Sequence, residues 1–264
     1  EPIWPIVERP VPQGDVPGEW YSPTQPFPTR PAAFDRQGFS EDDLIDYTPA
    51  LRAMALEAVQ DFRLSRTIFT PPSLQDHPDG TRGLLSLPSS TGGANWEHSA
   101  FDPETGIVYV PSRTQLQVLA LAKNPDSDID LSQGYGVRAP RVQGLEIVKP
   151  PYGRVTAIDM NSGEHLWWIA NADTPERIKN HPLLEGIDIP RTGIPTRSGV
   201  LLTKTLLFVG EGTGGAGASP IFRAVDKTTG EILFELDLPD NQTGLPFTYE
   251  HDGRQYLACL LYTS

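Results

Sequence analysis

Thr91-Gly-Gly-Ala-Asn-Trp-Glu-His-Ser-Ala-Phe-Asp-Pro-Glu-Thr-Gly-Ile-Val-Tyr-Val-Pro111 is the stretch on which the fold turns. It joins a Gly-Gly-Ala-Asn-Trp loop to a strand, a tight turn and a second strand. Gly92 and Gly93 let the main chain approach something flat or bulky. Asn95 brings an amide that both donates and accepts, and Trp96 brings a large aromatic face. Ala100, Phe101 and residues 107–110 are apolar and partly β-branched. Between them Asp102-Pro103-Glu104-Thr105-Gly106 has proline early and glycine late, as a hairpin turn requires. The reading is a polar site at the end of one β-sheet blade.

The same turn recurs in Ala157-Ile158-Asp159-Met160-Asn161-Ser162-Gly163-Glu164-His165-Leu166-Trp167. It recurs again in Ala224-Val225-Asp226-Lys227-Thr228-Thr229-Gly230-Glu231-Ile232-Leu233-Phe234. In each, Asp caps the turn, Thr or Ser adds a local hydrogen bond, and Gly takes positive φ. An aromatic four residues after the glycine of the last two copies packs onward. The aspartates lie 57 (159−102) and 67 (226−159) residues apart. That spacing suits blades of about four short strands with long inserted loops. The fold class expected is all-β, a partial β-propeller. Three or so blades do not close a ring, so the chain is expected to be part of a larger protein.

Upstream, residues 1–35 carry nine prolines, which exclude a helix or a central strand. Trp4, Trp20, Tyr21, Phe27 and Phe34 are interleaved with them, so an ordered, extended segment pinned by its rings is expected. Ser40 before three acids and Thr48-Pro49 are helix start signals. Leu51, Met54, Ala55, Ala58, Val59 and Phe62 then form one helical stripe, with Met54 expected in the core. This is a short helical insertion. Residues 84–88 read as a short strand, and 113–150 as irregular. There Asp126, Asp128 and Asp130 alternate, but the glycine and closing glutamate of a calcium loop are absent, so no calcium site is expected.

Downstream, Thr192-Gly193-Ile194-Pro195-Thr196-Arg197-Ser198-Gly199 is a second Gly-containing loop, placed before a hairpin formed by residues 200–202 and 206–210. Arg197 on it faces either solvent or a central ligand, and the residues alone favour solvent.

The net charge of −13 argues against nucleic acid as a partner. The single cysteine, Cys259, excludes an internal disulfide and reads as a buried strand residue. No apolar run is long enough to span a bilayer.

Taken together, the ordered motifs resemble the pyrroloquinoline quinone (PQQ)-dependent dehydrogenases, eight-bladed quinoproteins of the glucose dehydrogenase-like branch. The pieces are Glu8-Arg9-Pro10-Val11-Pro12-Gln13, Thr24-Gln25-Pro26-Phe27, Ile68-Phe69-Thr70-Pro71-Pro72-Ser73, Gly92-Gly93-Ala94-Asn95-Trp96 and the run from Thr248 to Tyr256. The Asp-x-x-Thr/Ser-Gly-x-x-x-Trp repeat matches the family's tryptophan docking motif. The resemblance implies about the last three to four blades of the ring, with residues 1–90 a proline-rich segment plus helical insertion and 91–264 the blades. It implies oxidation of a sugar or alcohol hydroxyl, PQQ held with Ca²⁺, and electrons passed to ubiquinone or cytochrome c. A periplasmic location follows, membrane-anchored if a segment precedes Glu1.

By the same resemblance Asn95 contacts the quinone. Trp96 lies beside it, and Arg197 stands where the family has another cofactor contact, often Trp. The catalytic base and the metal ligands are expected before Glu1, so no catalytic or metal residue is assigned here. The chain alone is expected to be inactive. Leu260-Leu261-Tyr262-Thr263-Ser264 departs from the family and reads as a foreign or truncated tail. The rival reading is a non-catalytic propeller scaffold of the outer-membrane protein assembly type, which shares the same turns but has no need of a polar amide at the axis.

Overall fold

A computed structural model describes residues 3–94, 99–126, 128–134, 136–212 and 217–261. Most ordered elements are strands, and the chain forms two compact units. One comprises Glu1–Gly93 with Gln115–Lys149; the other comprises Ala94–Thr114 with Pro150–Ser264.

In the first unit, the proline-rich segment does form extended structure. Ile6–Pro10 and Thr24–Pro28 pair antiparallel as a separate two-stranded ribbon, with Glu8 opposite Pro26. Prolines are tolerated because neither strand has a second neighbour among the described residues. Phe27 meets Phe69 edge-on at 5.6 Å and carries the Arg9 guanidinium 4.7 Å above its ring. Three separate sequence motifs therefore meet here. Pinning by rings does not extend to Trp20, which is 85% exposed.

Of the two helix starts, Ser40 opens only a 3-10 turn, Glu41–Asp43, where the Asp43 carboxylate accepts from the Ser40 N–H at 2.9 Å. Thr48 opens the α-helix Pro49–Ala58, its hydroxyl accepting from Leu51 N–H at 3.2 Å. Leu51, Ala55, Val59 and Phe62 are buried as their spacing predicts, but Met54 is 39% exposed, at the edge of the stripe.

A five-stranded sheet completes this unit. Leu84–Ser86 lies between Arg63–Leu64 and Gln117–Ala122, and the latter also pairs with Ser73–Leu74 and Ser132–Gln133. The strand Gln117–Ala122 falls inside the span expected to be irregular. It carries no turn signal of the Asp-Gly kind, and only Val118 and Ala120 alternate inward.

The second unit holds two four-stranded antiparallel sheets, each a meander. The first is Ala100–Asp102, Ile107–Arg113, Gly153–Asp159 and Glu164–Ala170; the second is Val200–Leu202, Leu206–Gly210, Ile221–Asp226 and Ile232–Asp237. Their facing surfaces bury one core, with Tyr109, Val155 and Ala157 from the first against Val200, Leu207, Val209 and Val225 from the second. In each sheet the pairing of the third and fourth strands shifts register at the same place, after Ala157 and after Ala224. A separate hairpin, Phe247–His251 with Arg254–Ala258, follows. Cys259 lies just past it and is half-buried rather than within a strand.

The three repeated turns are alike in atomic detail. The glycine N–H donates to the aspartate carbonyl at 2.8, 2.7 and 2.9 Å for Gly106, Gly163 and Gly230. Their φ values are 76°, 75° and 79°. Each aspartate Oδ1 accepts the N–H two residues on, at 3.0, 2.8 and 2.7 Å. The turns do not mark one blade each, however. Those at Asp102 and Asp159 both lie on the first sheet, whose middle is interrupted by residues 115–149, and only that at Asp226 lies on the second.

The sheets are joined at the turn end by one carbonyl. Lys227 O accepts from Tyr109 Oη at 3.1 Å and from Trp167 Nε1 at 3.2 Å. Lys227 Nζ also pairs with Asp102 Oδ2 at 2.6 Å. The docking expected of the aromatic four residues after Gly163 is thus seen in Trp167, whereas Phe234, its counterpart after Gly230, is 61% exposed.

Candidate functional site

In both sheets of the second unit, the Asp-Gly turns occupy one end. The opposite end bears the start of the first strand, the end of the second and the start of the third. Ser99, just before the first strand of one sheet, and the loop 192–199, just before the first strand of the other, therefore lead into the same end of neighbouring sheets. Asn95 and Trp96 themselves lie outside the described residues, so the expectation for them stands as a sequence reading. Arg197 is described, and it is an exposed residue.

The loop that carries Arg197 is braced from beneath. Thr192, Thr196 and Ser198 are buried while Arg197 between them is not. Thr192 O accepts from Tyr152 N–H at 2.7 Å, and Asn171 O accepts from Ile194 N–H at 3.0 Å. The Asn171 amide donates to Ser198 Oγ at 2.8 Å, which in turn lies 3.0 Å from Thr196 Oγ1. These polar contacts are buried, which fixes a loop more firmly than solvent-exposed ones do. No carboxylate occurs in 192–199.

Behind the loop sits a buried charge cluster that the sequence reading missed. Arg223 and Glu211 are each 1% exposed, and Nη2 lies 2.6 Å from Oε1. Arg223 Nε donates to Glu235 Oε1 at 2.7 Å. Asp173 Oδ1 is 3.6 Å from Arg223 and 2.8 Å from Arg191. Burial works against the Arg223 charge, but Glu211 and Glu235 outweigh it and hold the guanidinium above its ordinary pKa. The signal in the sequence was an arginine at the same strand parity as Val225, an inward position where charge is rare unless paired.

The chain matches the family described as the PQQ glucose/ethanol/alcohol dehydrogenase β-propeller domain over residues 1–257. It belongs to that family. Among its relatives is a glycerol dehydrogenase large subunit of Gluconobacter thailandicus, 29% identical over 98% of this chain and 37% of that one. A quinate/shikimate dehydrogenase (quinone) of Acinetobacter baylyi is 27% identical over 97% and 33%. A quinoprotein glucose dehydrogenase of Escherichia coli is also 27% identical, over 97% and 33%. The chain thus spans about a third of the length of these relatives. The solved quinohemoprotein alcohol dehydrogenase of Comamonas testosteroni aligns with a TM-score of 0.44 at 20% identity, over 67% of this chain and 23% of that one.

The family implies PQQ, a planar cofactor carrying three carboxylates. The loop 192–199 suits such an anion: it carries one arginine, Arg197, an exposed residue, and no acid. For a divalent metal the described residues offer no group of three or more His, Cys, Asp or Glu placed to hold it.

Proposed function

We propose that this chain contributes part of a PQQ-dependent dehydrogenase that oxidises a sugar or alcohol hydroxyl and passes the electrons to ubiquinone or cytochrome c. The family match over residues 1–257 carries the reading. The relatives named above are all dehydrogenases, so the scaffold reading is not favoured. We further propose that the two sheets are consecutive blades of the eight-bladed ring and that their loop end faces its axis.

When bound, PQQ supplies the two-electron acceptor. The chain's own residues bind and orient it. Arg197 offers its guanidinium to a cofactor carboxylate, and the Asn171–Ser198–Thr196 contacts hold that guanidinium's loop in place. By the family resemblance Asn95 would supply the amide that contacts the quinone, with Trp96 as the aromatic next to it in sequence. No catalytic base is assigned to this chain, and the Ca²⁺ is proposed to be held by residues outside it. A periplasmic location is proposed with the activity.

The test is reconstitution of the polypeptide that carries this chain with PQQ and Ca²⁺, followed by dye-linked oxidation of glucose, glycerol and ethanol. Bound quinone and dye reduction with at least one substrate are expected. Absence of both overturns the reading.

A further inference from the structure

We infer that the buried Arg223–Glu211 pair is a positioning device: it sets where the main chain of Arg197 lies, and so where the cofactor contact is presented. The inference rests on the role just proposed for Arg197.

The geometry runs residue by residue. Three adjacent strands deliver the charges, with Val209, Arg223 and Glu235 side by side in register. Glu211, two residues past Val209, turns one carboxylate oxygen to Arg223 and accepts from Ser219 N–H at 2.9 Å with the other. Its own N–H donates to Ile221 O at 3.1 Å. Glu211 is therefore held at both main chain and side chain. The next residue is Gly212, and a Cβ built there would sit 1.5 Å from Arg197 O. Gly212 and Arg197 thus meet backbone to backbone, with no side chain between them to absorb a shift. Moving Glu211 moves Gly212, and Gly212 cannot move toward the loop without displacing Arg197.

Stability is a poor account of this pair. Removing two charges from water is costly, and buried pairs are often replaceable by apolar residues of similar volume without loss. Arg223 Nη1 also makes no hydrogen bond among the described residues. Hydrogen bonding within the pair is thus incomplete, whereas its effect on the path of the main chain is direct.

The test replaces both partners at once, Arg223→Met with Glu211→Leu, so that neither is left charged and alone. Asp173 and Glu235 keep Arg191 within 2.8 and 3.8 Å and reach solvent. PQQ affinity is read by titration calorimetry with Ca²⁺ present, in the whole polypeptide, beside Arg197→Ala and the combination of all three changes. The double variant is expected to keep its melting temperature and to weaken PQQ binding about tenfold, the loss of one charge-assisted contact. Adding Arg197→Ala to it should weaken binding no further, because the contact is already lost. Hydrogen exchange at residues 196–199 should quicken in the double variant alone.

If Arg197→Ala weakens binding and the double variant does not, the inference fails while the proposed function stands. If neither changes the affinity of a protein that binds PQQ, the role of Arg197 fails and takes the inference with it. If the double variant does not fold, Arg223→Lys, which keeps the charge and loses the fork, is read by the same titration. Unchanged affinity and exchange in Arg223→Lys overturn the inference.

Discussion

Replacing Gly230 with alanine tests whether the Asp-Gly turn is also the seat of the neighbouring sheet. Gly230 has φ +79°, so any Cβ there costs about 1–2 kcal/mol for the left-handed conformation. That Cβ would also lie 2.8 Å from Trp167 Cε3 and 2.9 Å from Cδ2. The indole has little room to retreat. Its Nε1 is bonded to Lys227 O at 3.2 Å, and Tyr109 stands 5.8 Å behind it, ring centre to ring centre. Forcing extra volume into such packing adds about 1–3 kcal/mol. The control is Gly253→Ala, where φ is +70° and none of the described residues lies within 4 Å of the added methyl. Both substitutions restrict the unfolded chain equally, so that contribution cancels in the comparison. Urea unfolding followed by tryptophan fluorescence should place Gly230→Ala about 1–3 kcal/mol below Gly253→Ala. Equal losses would refute the claim that the turn and the indole are packed against each other.

Further expectations concern acid stability, the core, the site and the thiol. Lys227, then Thr105, by hydrogen bonds hold the Asp102 carboxyl down to about 2. A carboxyl lowered in the folded state stabilises it above its unfolded value and loses that contribution as the pH falls toward 2. Melting temperature should therefore drop between about pH 4 and pH 2, and less steeply in Lys227→Met, which has no ammonium to lose. Leu51→Ala removes a fully buried side chain and should cost about 2–5 kcal/mol in chemical denaturation, whereas Met54→Ala, exposed, should cost well under that. Asn95→Ala should weaken PQQ binding about tenfold in calorimetry, with unchanged melting temperature. Burial pushes the Cys259 thiol up, so iodoacetamide should label it more slowly at pH 7 than it labels glutathione.

The sequence carried the local structure well because its signals were stereochemical. Aspartate before a turn and glycine at positive φ leave few alternatives, and all three turns form as read. The helix register was equally legible, since Thr48 and Pro49 fix its start. What the spacing of the aspartates did not reveal is that the first sheet is discontinuous. A turn motif reports a hairpin, not the sheet it belongs to, and residues 115–149 count toward the interval without entering the sheet. Trp20 was misread because an aromatic beside prolines carries no sign of a partner. At the candidate site, Arg197 was visible as a cation on a Gly-containing loop. The Arg223–Glu211 pair was not, because Glu211 and Arg223 are brought together only by strand pairing.

The interruption of the first sheet bears on how much added chain the fold tolerates. The chain departs after Arg113 and rejoins at Gly153, and at the doorway Thr114 N–H meets Tyr152 O at 2.8 Å. The two stems are stitched together, so the sheet does not sense how much chain hangs between them. Lengthening a flexible loop twofold costs only about 0.6 kcal/mol. Inserting chain at 123–126, beyond the strand Gln117–Ala122, should thus cost little and leave the sheet that the doorway closes undisturbed.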